Sequence, residues 1–187
     1  MAKYILASAS PRRKQLLQWA EVDFEIIVQA TDETFPPHLL PAEAAVHIAA
    51  QKAAAVQQLT QTQKTIIAAD TIVVLANQVI GKPKDRAHAI EILTSLSGQQ
   101  HTVITGVVIQ NEKELIHFWD ATDVIFHPLT NSQIEFYVDK YGPYDKAGAY
   151  AIQEWIGVVG IKCISGDFYN VMGLPVSRVV QALEKFH

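Results

Sequence analysis

The longest apolar run in the chain, Ile66 to Ala76, carries Asp70 and Thr71 in its middle. It is too short to span a bilayer and rich in β-branched residues, so it reads as a strand covered on both faces. A carboxylate inside such a strand is costly to bury unless cations or a metal ion compensate it. The run therefore predicts both a buried strand and a point where opposite charge gathers. The formal net charge of −4 excludes a protein that coats a nucleic-acid polymer through a broad basic surface. Any anion bound here must meet a local cluster of cations.

The 187 residues suffice for one sizeable core and are short for two independent ones, and no repeat, low-complexity tract or linker divides residues 1–187. Hydrophobic residues at 49% and charged residues at 18% make a globular balance. Lys3 to Ala7 reads as a strand, followed by Ser10 as N-cap, Pro11 as first helical residue, and an apolar side of Leu16, Leu17 and Trp19. Phe24 to Val28 reads as a strand, Thr31 to Leu40 as a loop, and Pro41 opens an Ala-rich helix to about Leu59. After the buried run, Ala76-Asn77 forms a tight turn and Val79 to Lys82 returns as a strand. Asp85 caps a helix ending before Gly98, and His101 to Ile109 and Leu115 to Phe126 are strands joined around Asn111. Thr130 and Gln133 form a capping box for a helix through Tyr141. Val158 to Ile164 reads as a strand, and the last helix shows a stripe of Val176, Val179, Val180 and Leu183. This irregular alternation, with two hairpins, predicts an α/β domain on a mixed sheet.

The single Cys163 has no disulfide partner within the chain, and in its apolar surroundings reads as a buried strand residue. Ala7-Ser8-Ala9 mimics a signal-peptidase site, but the apolar stretch before it is much too short for export. A reducing cytoplasmic compartment, with no membrane association, is the expectation.

Three constellations carry chemistry. In Ser8-Ala9-Ser10-Pro11-Arg12-Arg13-Lys14 the cations stand in a first helical turn, opposing the positive end of the helix dipole. With free backbone N–H groups and the Ser8 and Ser10 hydroxyls, they form a site that a phosphate chain would relieve. In the second, the turn at Ala76-Asn77 sets Thr71 opposite Lys82, within a residue or two, so Lys82 would stand near Asp70. A structural Asp–Lys pair explains this as readily as a catalytic one; beside cations, Asp70 suits a base or a metal ligand and not an acid. Third, Lys52 shares a stripe with Ile48 and Val56, where a snorkelling lysine is the bland account. Glu33, in a proline-flanked loop, is a further carboxylate, and Gln153 closes a loop of Gly and Tyr residues suited to a ligand wall.

These segments, in this order, strongly resemble the Maf family of nucleoside triphosphate pyrophosphatases. The matching pieces are Ser8 to Arg13, Glu33, Lys52, Ala69-Asp70-Thr71, Gly81-Lys82-Pro83, His101 with Thr105-Gly106, Asp145 to Gln153, and Gly166-Asp167 through Asn170 to Pro175. The resemblance implies a two-lobed α/β fold, similar to inosine triphosphatases, with a mixed, strongly twisted sheet and a cleft between the lobes. It also implies a homodimer, a divalent metal (Mg²⁺ or Mn²⁺), and hydrolysis to a nucleoside monophosphate plus pyrophosphate. Asp70 matches the proton acceptor. Ser8, Arg13, Lys52 and Lys82 match phosphate-holding positions, Lys52 and Lys82 also serving catalysis, and Glu33 with Asp70 would hold the metal. Arg12, Thr71 and Gln153 match the positions tied to base choice. They resemble the branch acting on dTTP and UTP, with modified pyrimidine triphosphates as further candidates, in a nucleotide-pool housecleaning role. In the branch acting on 7-methyl-GTP, Gln typically replaces Thr71. Glu154-Trp155-Ile156 departs from the Gly-rich continuation usual after the Gln.

Two rivals remain. One is a non-catalytic nucleotide-binding regulator of cell division acting through a protein partner, in keeping with the family's link to septum formation. The other is a phosphomonoesterase. The absence of a G-x-x-x-x-G-K-[ST] loop argues against an ATP-driven motor or kinase.

Overall fold

The computed structural model describes residues 3–186. Among them seven strands form one sheet in the order β2-β1-β3-β5-β6-β7, with β4 against β3. Strands β1 (Tyr4–Leu6), β2 (Phe24–Ile26) and β3 (Thr65–Leu75) alternate with helices α1 (Pro11–Trp19) and α2 (Pro41–Thr60). Then come β4 (Gln78–Ile80), α3 (Arg86–Leu96), β5 (Gln100–Gln110), β6 (Leu115–Phe126) and α4 (Asn131–Tyr141). A 3₁₀ turn at Ala147–Ala149, α5 (Trp155–Gly160), β7 (Ile161–Ser165), α6 (Phe168–Met172) and α7 (Val176–Leu183) complete the order. β1 pairs in parallel with β2 and β3, whereas β3–β4 and β6–β7 are antiparallel. The fold is thus α/β on a mixed sheet, as expected. No helix among the described residues is long and apolar enough to cross a membrane.

The chain divides into two compact units. One comprises the chain up to Thr71, Thr105–Asp120, and the chain from Gly173; the other comprises Ile72–Ile104 and Ala121–Met172. In the first unit, β1 sits between β2 and β3, so the chain leaves β1 in one direction through α1 and returns to its other side through α2. Ile5, Ala7, Ile66, Ala68 and Val108 of the sheet pack on Ala49, Ala53 and Val56 of α2. The small side chains let α2 lie close. At Gly106 of β5 an added Cβ would stand 2.3 Å from the backbone nitrogen of Val46, so only glycine admits the helix there.

In the second unit, α3 buries Ala89, Ile92, Leu93 and Leu96, and α4 buries Ile134, Tyr137 and Val138. The Asp85 carboxylate accepts from the His88 backbone N–H at 2.8 Å, and Thr130 and Gln133 form the expected capping box. His101, Phe126 and Tyr150 meet edge to face with centroids 5.2, 5.4 and 5.1 Å apart.

Several expectations are corrected. Val158 to Ile164 is not one strand: α5 takes the chain to Gly160 and β7 begins at Ile161. The β-branched residues suggested a strand, but Gly157 approaches the Ile152 carbonyl so closely that a Cβ would lie 1.7 Å from its oxygen; the tight helical turn prevails over propensity. β7 pairs only with β6 at the sheet's end, which leaves Cys163 exposed rather than buried. Trp19 and Val180 are exposed, so the stripes of α1 and α7 narrow to Leu16 and Leu17, and to Val179 and Leu183.

Candidate active site

The site grows from the end of β1. Ala7 still donates to the Ile67 carbonyl at 2.8 Å, and the chain then turns through Ser8 into α1, whose first residue is Pro11 and whose N-cap is Ser10. Ser8 Oγ accepts from the Ser10 backbone N–H at 3.2 Å and from Arg13 at 3.1 Å, which leaves its hydroxyl hydrogen free to donate outward. Arg13 points back onto the sheet and is only 8% exposed. Its Nε donates to the Gly173 carbonyl at 2.8 Å and its other terminal nitrogen to Thr71 Oγ1 at 3.0 Å. Each of these bonds uses one hydrogen per nitrogen, so both terminal nitrogens keep a second hydrogen for an anion. Burial lowers the Arg13 pKa from its ordinary value; Asp70 raises it, Arg12 lowers it and Glu33 raises it. An arginine guanidinium keeps its charge in proteins.

Strand alternation separates the next two residues. Asp70 shares the α2-facing side of β3 with Ile66 and Ala68, whereas Thr71 faces Arg13. Asp70 Oδ1 accepts from Lys52 Nζ at 2.6 Å, and Glu33 Oε1 lies 2.8 Å from the same nitrogen. Lys52 is therefore no snorkelling surface lysine: its ammonium joins a strand carboxylate to one from the β2–α2 loop, with side-chain exposures of 15%, 12% and 44% for Lys52, Asp70 and Glu33. Thr71 Oγ1 also meets Thr105 Oγ1 at 3.0 Å. These groups gather beyond the carboxyl end of β1, where connections depart to opposite sides. That is the switch point at which open parallel α/β sheets bind ligands.

Of the residues singled out from sequence, the fold brings Ser8, Arg13, Glu33, Lys52, Asp70 and Thr71 together in the first unit. Arg12, half-buried on α1, belongs to the same unit. Lys82 and Gln153 belong to the second unit and are exposed. The register Val73↔Ile80 has the offset expected from the turn, where Ala76 and Asn77 take φ of 47° and 66°; the ladder stops at Ile80, before Lys82. Next to Gln153 the buried Lys146 Nζ lies 2.8 Å from the exposed Asp145 and 3.6 Å from the partly buried Glu154, which accepts from the Tyr137 hydroxyl. Thr105 and Gly173 lie in segments that match the family, but the sequence assigned no site role to the Thr105 hydroxyl or the Gly173 carbonyl. Neither has a local signal, since each meets its partner across the fold.

Among the described residues no group of three or more His, Cys, Asp or Glu side chains is disposed to hold a metal. The Asp70 and Glu33 carboxylates nevertheless suit a hard divalent cation that takes one or two protein oxygens and completes its shell with water and phosphate.

Comparison with known proteins gives the family. The family profile of Maf-like proteins matches residues 3–186. The chain belongs to the Maf-like family. A relative from Bacteroides thetaiotaomicron, named dTTP/UTP pyrophosphatase, is 47% identical over 97% of this chain and 94% of its own. One of the same name from Bacillus cytotoxicus is 43% identical over 100% and 96%. Among solved structures, the Ham1 protein of Staphylococcus aureus matches with a TM-score of 0.55, at 16% identity, over 98% of each chain. Protein VC0702 of Vibrio cholerae matches with a TM-score of 0.51, at 11% identity, over 100% of this chain and 95% of that one. At those identities the likeness shows a common fold.

Proposed function

We propose that this Maf-like protein is a nucleoside triphosphate pyrophosphatase that hydrolyses dTTP and UTP to the monophosphate and pyrophosphate. The carrying observation is the Asp70–Lys52–Glu33 group in the same unit as a buried Arg13 whose terminal nitrogens each keep a spare hydrogen; relatives named dTTP/UTP pyrophosphatase over nearly the whole chain support the substrate.

Phosphate oxygens accept from Ser8 Oγ, from the spare Arg13 hydrogens and from Lys52. Asp70 takes a proton from water as its oxygen attacks the α-phosphorus; the bond from that phosphorus to the bridging oxygen breaks, and pyrophosphate leaves with the electron pair. Fixed cations aimed at the developing charge supply most of the acceleration, as in other phosphoryl chemistry. A divalent ion, Mg²⁺ or Mn²⁺, held by Asp70 and Glu33, would neutralise phosphate charge. For Lys82 the family resemblance implies a further phosphate contact, and for Arg12, Thr71 and Gln153 base choice. A homodimer in the cytoplasm, clearing dTTP, UTP or modified pyrimidine triphosphates from the nucleotide pool, completes the reading; light scattering tests the dimer.

Hydrolysis in ¹⁸O-labelled water with dTTP or UTP and Mg²⁺ or Mn²⁺ is the test. The expected products are pyrophosphate and a monophosphate carrying the label. Label in pyrophosphate would move the attack to the β-phosphorus, orthophosphate would indicate a phosphomonoesterase, and no product would favour a binding-only regulator.

A further inference from the structure

Arg13 is held by neutral oxygens: the Gly173 carbonyl, Ser8 Oγ and Thr71 Oγ1. The carbonyl is fixed by the backbone, but a threonine hydroxyl rotates and can turn its hydrogen toward a donor. Whether Thr71 accepts from Arg13 depends on where that hydrogen goes. Thr71 Oγ1 has two further neighbours, Thr105 Oγ1 at 3.0 Å and the Gly173 carbonyl at 3.4 Å. If Thr71 donates to Thr105, both of its lone pairs remain for Arg13. If Thr105 donates to Thr71, the Thr71 hydrogen turns to Gly173 and a lone pair still remains. In both arrangements the Thr71 oxygen accepts from Arg13, and the 3.0 Å contact with Thr105, shorter than that with Gly173, holds that oxygen in place.

Thr105 is 0% exposed, on the buried strand β5, one residue before the glycine that admits α2. Its hydroxyl has no route to a bound substrate.

We propose that Thr105 is a positioning residue, which sets the Thr71 hydroxyl so that Arg13 presents its terminal N–H groups to the substrate phosphates. The proposal rests on Arg13 being a phosphate ligand, as in the reading above. Losing one buried hydrogen bond acting on a charged binding group corresponds to roughly a tenfold loss of affinity.

The test compares Thr105→Val, which removes the hydroxyl at nearly constant volume, with Thr105→Ser, which keeps it and removes a methyl group. Thr105→Val is expected to raise KM for dTTP about tenfold with kcat within about threefold, while Thr105→Ser stays within about twofold of wild type. In a Thr71→Val background, Thr105→Val should add nothing further, because the two hydroxyls act as one unit. A wild-type KM for Thr105→Val, or an equal loss in Thr105→Ser, would overturn the proposal, the second outcome marking a packing role. If Thr105→Val does not fold, Thr105→Ala is read against Thr105→Ser in the same way. Calorimetric titration with inorganic pyrophosphate separates the two claims. A wild-type protein that binds pyrophosphate about tenfold more tightly than Thr105→Val, yet turns over no dTTP, sinks the pyrophosphatase reading and keeps the positioning role. Equal pyrophosphate affinities in an active enzyme sink only the positioning role, and no pyrophosphate binding by wild type sinks both.

Discussion

Two regions of this molecule bury ionisable groups, and they treat them in opposite ways. At the end of β1 the Arg13 guanidinium lies beneath Ser8, Gly173 and Thr71, with Asp70 and Glu33 exerting opposing charge, so burial lowers its pKa but leaves it a cation. In the second unit, His101 lies against Phe126 and bonds the Tyr150 hydroxyl at 2.8 Å; burial lowers its pKa to about 4, against which Asp123 acts weakly. Burial likewise raises the Tyr150 pKa, so both partners are neutral near pH 7. Under the proposed function, a buried ionisable side chain serves chemistry where its charge is retained and hydrogens remain to donate. Where the charge is discharged into an aromatic cluster, it signals packing.

The contrast breaks most sharply at Lys52. Lys52→Met leaves Asp70 and Glu33 without the cation between them, and kcat/KM for dTTP should fall roughly 10³-fold in steady-state assays. Arg13→Lys keeps the charge but loses the planar fork that reaches three oxygens at once, for an expected loss of about 10²-fold, mostly in KM. An effect below a few-fold in either variant would mean that the charge there is structural.

His101 should behave in the reverse manner. Its folded pKa of about 4 lies below the ordinary 6.5, so between those values the unfolded chain binds more protons and stability rises with pH. The contribution is fully present above about pH 6.5 and fades as pH falls toward 4, amounting to at most about 3 kcal/mol. His101→Gln should flatten this acid limb in denaturant titrations from pH 4 to 7, with activity at pH 7 within about twofold of wild type. Glu33→Gln is the mildest change: the half-exposed carboxylate should matter mainly to the metal, raising the Mg²⁺ needed for half-maximal rate about tenfold.

The legible parts of the site were those set by local chemistry. Ser10-Pro11 announces a helix start in any context, and an acid inside a β-branched run declares that something must compensate it. Lys52 gave a weaker signal, because helical spacing placed it on the apolar stripe but not against its partner; Asp70 stands 18 positions further along, and the turn from α2 into β3 brings the two together. Thr105 and Gly173 meet Thr71 at sequence separations of 34 and 102, and such hydroxyl and carbonyl partners leave no periodicity to read. The misread segment after Gln153 failed for a related reason: Val158, Val159 and Ile161 favour a strand locally, while the close approach of Gly157 to Ile152 is a tertiary fact.

The direct test of the account is a paired measurement on Asp70→Asn: dTTP affinity by calorimetry and pyrophosphate release in a single turnover with Mg²⁺. The account predicts nucleotide binding within about threefold of wild type and a release rate lower by roughly 10³-fold, the loss of one positioned general base. Release at a near-normal rate would contradict it and remove Asp70 from the chemical step.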